Sequence, residues 1–136
     1  MGSNRIAIQD ACPLLVLIID PEYLVALDAE QVLTDALACR VDIAMPREYP
    51  AILDQRRYDV ILIDIRVIQG DAADAARRIG AHGAKVVLSS LSHSYSNGFA
   101  PWPDVPVVLK PFNDQALIAA IKNAATFDRD VSSSQA

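Results

Sequence analysis

The chain has 136 residues, 52% of them hydrophobic and 6% aromatic, with a formal net charge of -5. That length and apolar content suit one domain with an aliphatic core, and an acidic chain without a basic run makes a poor nucleic-acid or anionic-membrane binder. No apolar stretch reaches the roughly 20 residues of a membrane span, and no basic segment with an A-x-A site marks a signal peptide.

Residues 1–12 are polar and mixed and read as a loose leader, so the domain is expected over 13–127. Leu14-Leu15-Val16-Leu17-Ile18-Ile19 predicts a first strand. Asp20-Pro21-Glu22 then reads as a helix start, with Asp as N-cap, Pro at the first helical position and Glu in the first turn. The helix is expected to run to about Cys39, burying Val25, Ala29, Val32, Leu33, Ala36 and Leu37. Val41–Met45 alternates weakly and predicts a short edge strand ended by Pro46. Pro50–Arg56 predicts a short helix with proline in its first turn.

Tyr58-Asp59-Val60-Ile61-Leu62-Ile63-Asp64 is the most informative stretch. A short, β-branched, unbroken apolar run reads as a strand covered on both faces, as in parallel sheets. A loop is expected through Gly70, then an Ala-rich helix over 71–79 with Asp early and Arg late, closed by Gly80 and Gly83. Strand four is expected at 85–88 and strand five at 105–109. Residues 91–104 carry Ser, Asn, Gly and Pro around Tyr95, Phe99 and Trp102, and predict a loop with at most one short helical turn. Asn113 or Asp114 caps a last helix to about Phe127, with Leu117, Ile118 and Ile121 inward. The polar tail 128–136 is expected to fray.

This βα alternation implies a doubly wound, flavodoxin-like five-stranded parallel sheet in the order 2-1-3-4-5. No G-x-G-x-x-G follows the first strand and no P-loop is present, which argues against dinucleotide and nucleoside-triphosphate sites. Cys12 and Cys39 form no C-x-x-C pair and read as reduced thiols of a cytoplasmic protein. His82 and His93 have no zinc-ligand spacing.

Asp20, Asp64, Ser90 and Lys110 each follow a strand, at the edge where open α/β sheets place their ligands. This order of acid, acid, hydroxyl and lysine, with D-V-I-L-I-D ending at Asp64 and Lys110-Pro111-Phe112 closing strand five, resembles the receiver domain of response regulators. The resemblance covers about Leu14 to Phe127. It implies that Asp64 accepts a phosphoryl group from a histidine kinase or phosphotransfer protein and that Lys110 binds the phosphoryl oxygens. Ser90, with Ser89 as competitor, would contact that group on switching. It also implies a cis Lys110–Pro111 bond, and Mg²⁺ held by Asp20, Asp64 and the backbone carbonyl of Arg66. A metal and a lysine would offset the repulsion between a carboxylate and an incoming phosphoryl anion.

Three departures stand against the family pattern. The second of the usual paired acids falls on Pro21, leaving the site one carboxylate short and predicting weak Mg²⁺ binding. The aromatic switch position falls on Val108. Ile68 and Ala72 replace a usual Pro and Gly. The segment after strand four resembles only in part the alphaproteobacterial single-domain receivers with F-A-T-G-x-Y, since it reads Leu88-Ser89-Ser90-Leu91-Ser92-His93. The expectation is a stand-alone receiver that signals through an unidentified downstream protein, using 91–104, strand five and the last helix. The alternative is a degenerate receiver that binds a protein without phosphorylation. Asp20 as a mere helix cap and the serines as mere turn hydroxyls are the plain readings beside these roles.

Overall fold

A computed structural model describes the backbone of residues 13–135 and the side chains through Thr126. The expected loose leader, Cys12 and Ala136 lie outside the described residues. Five parallel strands, β1 (Leu14–Ile19), β2 (Cys39–Ala44), β3 (Val60–Asp64), β4 (Lys85–Ser90) and β5 (Val107–Leu109), form one sheet in the order β2-β1-β3-β4-β5. This is the flavodoxin-like order expected from the sequence. The helices are α1 (Tyr23–Ala36), α2 (Tyr49–Gln55), α3 (Ile65–Ile68), α4 (Ala72–His82) and α5 (Asp114–Gln135). No helix among the described residues is long and apolar enough to cross a membrane.

Strand alternation divides the core in two. Leu17, Ile19, Ile61, Ile63 and Leu88 pack against α2, α3 and α4. Val16, Ile18, Val60, Leu62, Val87 and Val108 pack against α1 and α5 through Ala26, Ala29, Leu33, Leu117 and Ile121. β3 is buried at every position, which is why it carries no polar residue before its last. Full burial of each such aliphatic side chain contributes roughly 1.5–3 kcal/mol.

Several boundaries differ from expectation for local reasons. α1 begins at Tyr23 with Glu22 as its cap residue, and Ala26 replaces Val25 in its buried stripe while Ala36 is exposed. Asp20 is therefore no N-cap; its Oδ1 accepts from the Glu22 N–H at 2.8 Å in a turn that precedes the helix. The expected loop after β3 contains the one-turn helix α3, held by Asp64 as cap and by the burial of Ile65 and Ile68. α4 runs through Gly80 and stops at Gly83, whose φ of 88° closes the helix. Asn113 is the cap of α5, its Oδ1 accepting from the Ala116 N–H at 3.0 Å. α5 continues to Gln135 instead of ending near Phe127, because no Gly or Pro interrupts the chain after Pro111. Residues 91–104 hold a 3-10 turn, His93–Tyr95, as the composition suggested.

Candidate functional site

The C-terminal ends of the strands meet at one rim. Alternation places Asp20, Asp64, Ser89 and Lys110 on the α1/α5 face, each one residue past a side chain on the other face or two past one on the same face. Lys110 directly follows β5, and its bond to Pro111 is cis, as the resemblance implied. The ammonium of Lys110 donates to Oδ2 of Asp20 and to Oδ2 of Asp64, both at 2.5 Å. All three are deeply buried, at 2% exposure for Asp20, 1% for Asp64 and 4% for Lys110. A buried lysine is tolerated only with such pairing, and here it bridges two acids from strands adjacent in the sheet.

Arg66 enters the site through its side chain. Its backbone N–H donates to Asp64 Oδ1 at 2.7 Å and its Nε to the same oxygen at 3.0 Å. Its Nη2 donates to Asp64 Oδ2 at 2.9 Å and reaches Glu22 Oε1 at 3.4 Å. The backbone carbonyl of Arg66 was expected to face the site as a metal ligand. Arg66 lies in the helical turn α3 and meets Asp64 with its backbone N–H and its side chain. Burial alone would raise the Asp64 pKa, but the Arg66 hydrogen bonds, followed by that from Lys110, hold it below the usual carboxylate value. The same pairing raises the Arg66 pKa.

The two serines separate. Ser89 is the in-register partner of Asp64 across β3 and β4 and is buried on the same face. Ser90 faces the other side, and its hydroxyl accepts from the Ser92 N–H at 2.9 Å, starting the 3-10 turn. The 91–104 segment is tied back to α3 by Gln69 Nε2 donating to the Tyr95 hydroxyl at 2.7 Å. Tyr95, Phe99 and Trp102 stack edge to face, and Phe99 is buried in the core.

Chemically, the rim sets a buried carboxylate beside an ammonium of the kind that holds oxyanions. For a divalent cation the donors of Asp64 are committed. A carboxylate has about four lone-pair sites, and the Asp64 carboxylate receives Arg66 N, Nε and Nη2 together with Lys110 Nζ. Asp20 gives Oδ1 to Glu22 and Oδ2 to Lys110. No group of three or more His, Cys, Asp or Glu suited to a metal occurs among the described residues. Mg²⁺ does not fit this arrangement while Arg66 stays in place. Cys39 is a free thiol away from this rim, at the start of β2.

Sequence reasoning missed the Arg66 side chain and the return of Glu22 to the site. A signal was present: each stands two residues past one of the two rim acids, on adjacent strands, with opposite charge.

No family model matches the sequence, and no curated protein matches it. Solved structures do resemble the fold. A response regulator from Thermotoga maritima has a TM-score of 0.71 at 18% identity over 85% of this chain and 99% of its own. A response regulator receiver protein from Sinorhizobium medicae has a TM-score of 0.67 at 25% identity, covering 84% of this chain and 95% of its own. The anti-anti-sigma factor PhyR from Bartonella quintana has a TM-score of 0.70 at 22% identity, covering 96% of this chain and 55% of its own. The structural neighbours are thus response-regulator receivers, and the fold is theirs.

Proposed function

We propose that this chain is a response-regulator receiver whose Asp64 accepts a phosphoryl group from the phosphohistidine of a histidine kinase or phosphotransfer protein, and which signals by protein contact. The observation that carries the reading is the buried Asp64–Lys110–Asp20 bridge at the C-terminal rim of a receiver fold. In the transfer, an Asp64 oxygen attacks phosphorus. An O–P bond forms as the P–N bond to imidazole breaks, and the imidazole nitrogen leaves with the electron pair. Lys110 remains beside the new phosphoryl oxygens and offsets their charge. Water later attacks the phosphorus, the P–O bond to Asp64 breaks, and inorganic phosphate leaves with the water oxygen as the carboxylate is restored.

Ser89, beside Asp64 in the sheet, replaces Ser90 as the hydroxyl for the phosphoryl oxygens. The added charge of about -1.5 to -2 then acts on β4 and on the segment that follows it. That segment, 91–104 with β5 and α5, is the output surface of this reading.

A second reading, a phosphorylation-independent binding module, is favoured by Pro21 and by the filled lone pairs of Asp64. Intact-protein mass spectrometry after incubation with acetyl phosphate and excess Mg²⁺ separates the two. The receiver reading expects one added phosphoryl group on the wild type, none on Asp64→Asn, and faster loss or slower gain on Ser89→Ala than on Ser90→Ala. An unlabelled wild type leaves the binding-module reading standing.

A further inference from the structure

We propose that the Arg66 guanidinium, steadied by Glu22, is the resident counter-cation of the rim and a latch on Asp64. It occupies the coordination that a divalent ion needs and the lone pairs that a nucleophile needs. The inference rests on the reading of the rim as a phosphoryl-accepting site, but its main test uses no phosphoryl transfer.

Three observations carry it. First, the contact is a fork: Nε to Oδ1 at 3.0 Å and Nη2 to Oδ2 at 2.9 Å, the bidentate geometry that gives arginine–carboxylate pairs their specificity. Second, the backbone of the same residue donates to Oδ1, so the fork closes on a carboxylate already held by the α3 cap. Third, Nη2, the nitrogen that reaches Asp64 Oδ2, also meets Oε1 of Glu22 at 3.4 Å, the first acid after Pro21. The charge that Pro21 removes from the metal's side of the rim thus returns one residue later, paired with a protein cation.

Chemistry follows from occupancy. With Lys110 on the remaining site of Oδ2, neither oxygen keeps an unused lone pair for attack on phosphorus. Metal entry and phosphoryl transfer both require the guanidinium to swing out. Arg66 has room to do so, since its side chain is 43% exposed while Asp64 beneath it is 1% exposed. The latch is therefore a solvent-side lid of one residue over a buried carboxylate, and a partner that offers Arg66 a better acidic contact would open it.

The test is Mn²⁺ binding to the full chain, followed by electron paramagnetic resonance of the free ion. Arg66→Met keeps the apolar stem and removes the fork. It is expected to tighten Mn²⁺ binding by about tenfold or more, equivalent to about 1.4 kcal/mol. Adding Asp64→Asn to Arg66→Met should abolish the gain and so locate the ion. Equal Mn²⁺ affinity in wild type and Arg66→Met overturns the proposal. If Arg66→Met does not fold, the wild type decides by NMR. A slowly exchanging Arg66 Nε–H that persists at millimolar Mg²⁺ supports the latch; rapid exchange, as for a free arginine, overturns it. Acetyl phosphate labelling of the same variants reports separately: labels absent from both chains count against the phosphoryl-accepting reading, while the metal result still decides the latch.

Discussion

Lys110 is the side chain on which the rim depends. It is the single ammonium between two buried carboxylates, so its removal leaves like charges facing each other out of water. Breaking a buried ion pair by deleting one partner costs roughly 3–5 kcal/mol. Lys110→Met, which keeps most of the stem, is expected to lose stability in that range in urea unfolding at neutral pH. A loss well below that range would mean that the two acids do not depend on Lys110 for their charge balance. The positions of Asp20, Asp64 and Lys110 were legible in the sequence because each ends an apolar run, and a parallel sheet delivers such ends to one rim. The fork of Arg66 was not legible: nothing in linear order states which way a long side chain turns after a helical cap. Nor does linear order show which serine lies beside Asp64; register pairs Ser89 with it.

At the scale of elements, the strands were readable and the helix ends less so. An apolar run bounded by charges has one reading in a buried sheet. A helix start is instead a competition among local hydrogen bonds, and Asp20 was drawn into the site by Lys110 while Glu22 took the cap position. The one-turn helix α3 is too short to show periodicity, and tertiary burial of Ile65 and Ile68 supports it. α4 offers a controlled comparison between two glycines expected to close it. Gly80 lies inside the helix with open space around its missing Cβ, whereas Gly83 sits at φ +88° with equally open space. Gly80→Ala is therefore expected to stabilise by about 0.5–1 kcal/mol through helix propensity. Gly83→Ala should destabilise by roughly 1 kcal/mol, because a Cβ is strained in the left-handed region. Thermal or urea unfolding of the two variants checks this, and shifts of the same sign would contradict the assignment of the helix end.

For the molecule as a whole, the two rims of the sheet differ: one gathers the buried Asp20, Asp64 and Lys110, and the other carries fastenings between elements. Toward the N-terminal ends of the strands, polar groups tie elements together. The Tyr58 N–H donates to His82 Nε2 at 3.0 Å, and the Tyr58 hydroxyl donates to Asp42 Oδ2 at 2.6 Å. Arg56 reaches the same Asp42 oxygen at 2.9 Å, and Asp59 Oδ2 accepts from the Leu15 N–H at 2.8 Å. Tyr58 thus fastens the start of β3 both to the end of α4 and to the edge strand β2. Burial, and after it the hydrogen bond to Asp42, push its phenol up to about 12 from 10.0. The folded state therefore holds this proton more tightly than the unfolded chain. The sign follows from linkage: the contribution is complete below pH 10 and is lost as the pH rises from 10 toward 12. Tyr58→Phe lacks the phenol, so its stability relative to wild type should improve across that window, after being lower at neutral pH by about 1 kcal/mol for the lost hydrogen bond. A tyrosinate absorbance titration should also lose one late step, near pH 12, in the variant. Parallel loss of stability in both proteins through the window would show that the hydroxyl of Tyr58 is not held as described. Because this fastening shares no partner with the Asp64 rim, Tyr58→Phe should leave Mn²⁺ binding and phosphoryl labelling unchanged.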